Sequence, residues 1–185
     1  MTYEQARTLI EQTLPEKRFI HTLGVVETAE HLAKTYGVNV EQARLAAMLH
    51  DYAKYMDRDE MRQVVRAEQL DLALLEFDDE LLHAPVGAVL LDRAYDLDAA
   101  VVSAIKNHTT GSPGMSRLDQ VIFVADAIEP NRRYPGVEAL RDVAEQSLEL
   151  AVVATLRQSI QHLLNKSVRI FPLTIATYND FVKTP

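Results

Sequence analysis

Four histidines and two aspartates stand in apolar segments where a polar side chain needs a reason. His50 and Asp51 close the run Ala46-Ala47-Met48-Leu49-His50-Asp51, and His21 lies in Phe19-Ile20-His21-Thr22-Leu23. His83 follows Leu81-Leu82, His108 follows Ile105-Lys106-Asn107, and Asp126 sits inside Ile122-Phe123-Val124-Ala125-Asp126-Ala127-Ile128. Taken alone, His50-Asp51 reads as a buried hydrogen bond at a helix end. Five such segments in one chain change that reading, because each buried imidazole or carboxylate needs a partner to offset its desolvation. A shared metal centre supplies all of them. Histidine with aspartate and no cysteine is a hard-to-borderline ligand set, suited to iron, manganese or zinc rather than copper(I). Adjacent helical residues point about 100° apart, so His50 and Asp51 reach one ion only if the helix loosens there or the ion lies between their directions.

The order His21, His50-Asp51, Asp126 resembles the HD-domain superfamily of metal-dependent phosphohydrolases, and the inserted His83 and His108 resemble its two-metal branch. Leu82-His83-Ala84-Pro85-Val86-Gly87-Ala88, Asn107-His108-Thr109-Thr110-Gly111 and Ala125-Asp126-Ala127-Ile128-Glu129-Pro130-Asn131-Arg132 together are similar to the YqeK group of bacterial symmetrical bis(5′-nucleosyl)-tetraphosphatases. The resemblance runs from about His21 to Arg133 and more loosely over the whole chain.

It implies that His21, His50, Asp51 and Asp126 hold one ion, and that His83 and His108 hold a second, bridged to the first by Asp51. Iron is the expected metal, divalent or trivalent, with manganese and zinc as alternatives. The implied reaction is hydrolysis of diadenosine tetraphosphate, or a related dinucleoside polyphosphate, into two nucleoside diphosphates. Ions about 3.5–4 Å apart can hold a bridging hydroxide and neutralise the phosphoryl group that it attacks. Asp51 and Lys54 are then the expected catalytic residues, with Lys54, Thr109, Arg132 and Arg133 contacting phosphates, where guanidinium forks suit bidentate binding. Nothing in the sequence specifies the base or the number of phosphates. Another HD-type nucleotide phosphohydrolase, an HD-type di-iron oxygenase and a non-enzymatic sensor remain as alternatives. His31 and His162 lie outside every motif, and Tyr52 and Tyr134 are set for core packing or for stacking on a base.

The elements that must position these groups are helices. The chain has 185 residues, 48% of them hydrophobic, enough for one domain over residues 1–185, with a metal-binding core at about 17–133 and C-terminal helices at about 137–185. Capping signals at Thr2, Asn39, Asp57, Asp98 and Ser116 open helices, Gly37 closes one, and Pro85 starts another just after His83. Residues 70–82 read as a helical turn, Glu129 to Gly136 as a loop, and helices follow from Val137, Leu148 and Pro172. His21, Val25, Thr28, Leu32 and Tyr36 share one face, so His21 points inward. No segment alternates with period two, and the expected fold is an all-α HD-domain helical bundle.

A net charge of -8 and a pI near 5.2 argue against nucleic-acid binding, which depends on clustered Lys and Arg. A small nucleotide remains a suitable partner where a metal supplies positive charge. The chain has no cysteine, hence no disulfide and no thiolate ligand. With no signal-peptide layout and no apolar run approaching roughly 18 residues, a cytoplasmic protein without membrane association is expected. The oligomeric state is open, a homodimer included.

Overall fold

The structure, a computed structural model, describes residues 1–182, so the last three residues of the expected domain lie outside it. Among the described residues ten α-helices follow one another: α1 (Tyr3–Thr13), α2 (Glu16–Tyr36), α3 (Val40–Leu49), α4 (Arg58–Ala67), α5 (His83–Tyr95), α6 (Ala99–Asn107), α7 (Arg117–Ile128), α8 (Val137–Gln146), α9 (Leu148–Asn165) and α10 (Pro172–Phe181). Among the described residues there is no strand, and the fold is all-α. Among the described residues no helix is long and apolar enough to cross a membrane.

Local chemistry accounts for most helix boundaries. Thr2 and Ser116 each form a reciprocal capping box, with Gln5 and Asp119. Asn39 caps α3 from one side only, accepting from the amides of Glu41 and Gln42. Gly37 closes α2 at φ 66°, where a side chain would be strained. Residues 70–82 hold two separate 3₁₀ turns, Leu72–Glu76 and Asp79–Leu81, each opened by an aspartate, rather than one helical turn.

Helix α7 is the axis of the molecule, packing on α2, α3, α6, α8 and α9. Its run Val121, Ile122, Val124 and Ala125 is completely buried, as an all-round apolar helix requires. A smaller core of Ala53, Met61, Val65, Leu74, Leu82, Val86 and Phe171 lies under α4 and the 3₁₀ turns. It fixes the entrance of α5, and Tyr52 packs between the two cores. Helix α4 buries only Met61 and Val65, consistent with its charged sequence.

Candidate metal centre

Helix ends deliver three of the four histidines. Helix α3 stops at Leu49 and α6 at Asn107, leaving His50 and His108 as their C-terminal caps, while His83 is the first residue of α5. Each ring uses Nδ1 to satisfy a main-chain carbonyl three residues back: His50 on Ala47 at 2.7 Å, His83 on Glu80 at 2.6 Å and His108 on Ile105 at 2.7 Å. A carbonyl only accepts, so Nδ1 carries the proton and Nε2 of the neutral ring presents a lone pair. His21, inside α2, places Nδ1 3.1 Å from Glu129 Oε1. After Leu49 the chain tightens, with the Tyr52 amide on the Leu49 carbonyl and the Lys54 amide on the Asp51 carbonyl. The α-helix thus gives way to tighter turns where adjacent residues must share a centre.

All four Nε2 atoms converge on Asp51. Its Oδ2 lies 2.9 Å from His50 Nε2 and 3.8 Å from His21 Nε2, and its Oδ1 lies 3.3 Å from His83 Nε2 and 3.9 Å from His108 Nε2. Asp126 joins the first pair, with Oδ1 3.0 Å from His21 Nε2 and 3.9 Å from His50 Nε2. Donor atoms of His21, His50 and Asp126, and of His50, Asp51 and His108, lie within 4.8 Å of one another.

The arrangement fits cations better than hydrogen bonds. His21 Nε2, His50 Nε2 and Asp51 Oδ1 are buried without a hydrogen-bond partner, a costly state unless something else coordinates them. His83 Nε2 and His108 Nε2 face each other at 3.0 Å, two lone pairs with no proton assigned between them. A metal ion relieves both conditions, and the Nδ1–H bonds are the outer support that metal-ligating histidines use.

Burial opposes ionisation of Asp51, but His50, His83 and Arg18 outweigh it and hold the carboxyl well below the usual range. Burial likewise opposes Asp126, which His21, Arg132 and His50 hold well below that range. Burial, with His50 and His83 alongside, pushes His108 down to about 3, so that ring stays neutral and available as a ligand. Burial also disfavours charge on His50, yet Asp51 and Asp126 raise its proton affinity overall.

The remaining expected residues spread around this centre. Thr109 Oγ1 lies 3.2 Å from His108 Nε2 and 3.4 Å from His83 Nε2. Lys54 pairs with Glu80 at 2.8 Å rather than pointing into the centre. Arg132 donates to Asp126 Oδ1 at 2.6 Å and to the Asp126 carbonyl at 2.9 Å, while Arg133 is turned to the carbonyls of Pro130 and Arg132. Tyr134 spends its hydroxyl on the Ala127 carbonyl. His31 pairs with Glu145 on the surface, and His162 is exposed in the last turn of α9. Two residues escaped the sequence reading. Arg18 donates to Asp51 Oδ2, and its only signal was a three-residue spacing from His21 on one helix face. Glu129, behind His21, is three residues beyond Asp126.

The HD domain family model matches residues 18–131, a span that starts at Arg18 and ends just past Glu129. Full-length relatives carry the same name: the symmetrical bis(5′-nucleosyl)-tetraphosphatase of Bacillus subtilis is 43% identical, and that of Halalkalibacterium halodurans is 45% identical, each over 98% of both chains. A crystal structure from Clostridium acetobutylicum, described as a predicted HD superfamily hydrolase involved in NAD metabolism, superposes with a TM-score of 0.93 at 33% identity, covering 98% of this chain and 97% of that one. Likeness of this extent, in sequence and in backbone, leaves no part of the bundle unaccounted for: the chain belongs to the HD domain family, in the branch whose members are named symmetrical bis(5′-nucleosyl)-tetraphosphatases.

Proposed function

We propose that the protein is a metal-dependent hydrolase that cuts diadenosine tetraphosphate, or a related dinucleoside polyphosphate, symmetrically into two nucleoside diphosphates. The observation that carries the chemistry is the division of Asp51, one oxygen toward His21 and His50 and the other toward His83 and His108. The names of the full-length relatives support the substrate. In this reading His21, His50, Asp51 and Asp126 hold one ion, and His83, His108 and Asp51 hold the other. The ligand chemistry suits iron, manganese or zinc, and likeness to the family makes iron the metal we propose. Two such ions would activate a water and offset charge on the phosphate under attack.

The chain's own groups then place the substrate. Lys54 leaves Glu80 to take a phosphate oxygen, Thr109 donates its hydroxyl beside the second ion, and Arg18, Arg132 and Arg133 supply the remaining positive charge in an acidic molecule. A cleft of ≈ 390 Å³ lined in part by Ala84, Asn107, Thr109, Phe171 and Leu173 begins one residue from His83 and from His108. Its size and mixed apolar and polar walls suit one nucleoside. Having no cysteine, the chain suits a reducing cytoplasm. The test is product analysis with diadenosine tetraphosphate: two molecules of the diphosphate per turnover are expected, with label from ¹⁸O-water in one of them. A triphosphate plus a monophosphate would overturn the assignment.

A further inference from the structure

His21 differs from the other three histidines in what stands behind its ring. His50, His83 and His108 donate Nδ1–H to neutral main-chain carbonyls, whereas the partner of His21 is the carboxylate of Glu129, 1% exposed and 3.1 Å away. A carboxylate partner strengthens the hydrogen bond and makes the opposite nitrogen a better electron donor. The chain holds this carboxylate in several ways. Glu129 Oε2 accepts from the Asn131 amide at 2.6 Å, and Arg141 fixes the local backbone by donating to the carbonyls of Ile128 at 2.9 Å and Glu129 at 2.8 Å.

Gly24 makes the approach possible. It lies in the middle of α2 with an ordinary helical backbone, where glycine is less favourable than alanine, so conformational freedom does not explain it. Space does: a Cβ at Gly24 would stand 2.4 Å from Glu129 Oε2. Helix α2 therefore carries its ligand at His21 and, one turn later, a gap that admits the group orienting that ligand.

We propose that Glu129, seated against Gly24, is the positioning residue of His21, and that it makes the ion at His21, His50 and Asp126 the more tightly held of the two. The proposal rests on the two-ion reading. It predicts unequal sites: one ion supported by an anionic partner behind its ligand, the other by neutral carbonyls alone.

The test is titration of metal-stripped protein with Mn²⁺, counting free ion by electron paramagnetic resonance. The unaltered chain should show two classes of site. Glu129→Gln keeps an acceptor but removes the charge, and should weaken the tighter class about 10–100-fold while leaving the weaker class in place. His83→Ala should do the opposite. Gly24→Ala should reproduce Glu129→Gln, and the double variant should add little to either single change. In the chelated protein the His21 Nδ1–H resonance should move upfield in Glu129→Gln, a readout independent of bound metal and of Gly24→Ala folding. Equal weakening of both classes in Glu129→Gln, together with a large fall in its chelated melting temperature, would make Glu129 merely structural and overturn the proposal. So would unchanged affinities with two ions bound. If the unaltered chain binds no ion, the two-ion reading itself fails.

Discussion

Each oxygen of Asp51 faces a different pair of histidines, so one substitution should empty both positions. Asp51→Ala is expected to lower metal content from two ions toward none and to abolish hydrolysis, measured by elemental analysis and product formation; two retained ions with normal turnover would contradict its place at the centre. His108→Ala should leave one ion, while His31→Ala and His162→Ala, both on the surface, should change neither metal content nor rate. Lys54 presents a different case, because its ammonium is paired with Glu80 at 2.8 Å and must exchange partners to reach a phosphate. If it meets charge that grows in the transition state, Lys54→Met should reduce turnover on the order of 10²–10³-fold with two ions still bound. A change under about threefold would identify Lys54 as a surface lysine held by Glu80.

Helix ends are where this fold places its chemistry, for a reason that lies in helix geometry. The last carbonyls of a helix lack intrahelical partners, and His50 and His108 satisfy them with Nδ1–H while aiming Nε2 away. One bond closes the helix and sets the tautomer together. Asp126 lies in the last turn of α7, two residues before Ile128, where the fully buried run before it holds the helix in place. The N-terminal end of α7 is fixed by Ser116, whose hydroxyl accepts from the Asp119 amide at 3.1 Å while Asp119 accepts from the Ser116 amide at 2.7 Å. Ser116→Ala should cost about 1 kcal/mol in denaturant unfolding without altering metal stoichiometry, since the cap lies almost three turns before Asp126. Loss of metal at full occupancy of the folded state would show that the cap reaches the centre.

The whole molecule is acidic, with a net charge of -8, yet its inferred substrate is a polyanion. Local positive charge must therefore come from the ions and a few cationic side chains, not from the general surface. The proposed ion ligands lie on α2, α3, α5, α6 and α7 or at their ends, so metal binding would tie together most of the bundle. An ion that binds only the folded state stabilises it by about 2.7 kcal/mol at a hundredfold excess over its dissociation constant. Thermal unfolding should consequently shift upward as Mn²⁺ or Zn²⁺ is added to chelated protein, and activity should return over the same range. A melting temperature indifferent to metal would contradict a centre built across these helices.

Features set by neighbours along the chain were legible in the order of residues. The boxes at Thr2 and Ser116, the left-handed close at Gly37 and the apolar setting of the six polar residues depend on spacings of a few positions, which composition and periodicity record. The place of His83 at a helix entrance was legible for the same reason, although α5 begins at His83 itself and not at Pro85. Tertiary structure alone decided the partners. Arg18 and Asp51 are 33 positions apart, and His21 and Glu129 are 108 apart; such contacts depend on how α2 crosses α3 and α7, which helical periodicity does not encode. Arg132 and Tyr134 turn back to Asp126 and Ala127, six and seven positions away, through the segment after α7, and Lys54 pairs with Glu80. A sequence can mark a side chain as needing a partner, because burial of its segment is a local property. Which partner it finds is settled by long-range packing, where a rotation of one helix exchanges every neighbour on its face.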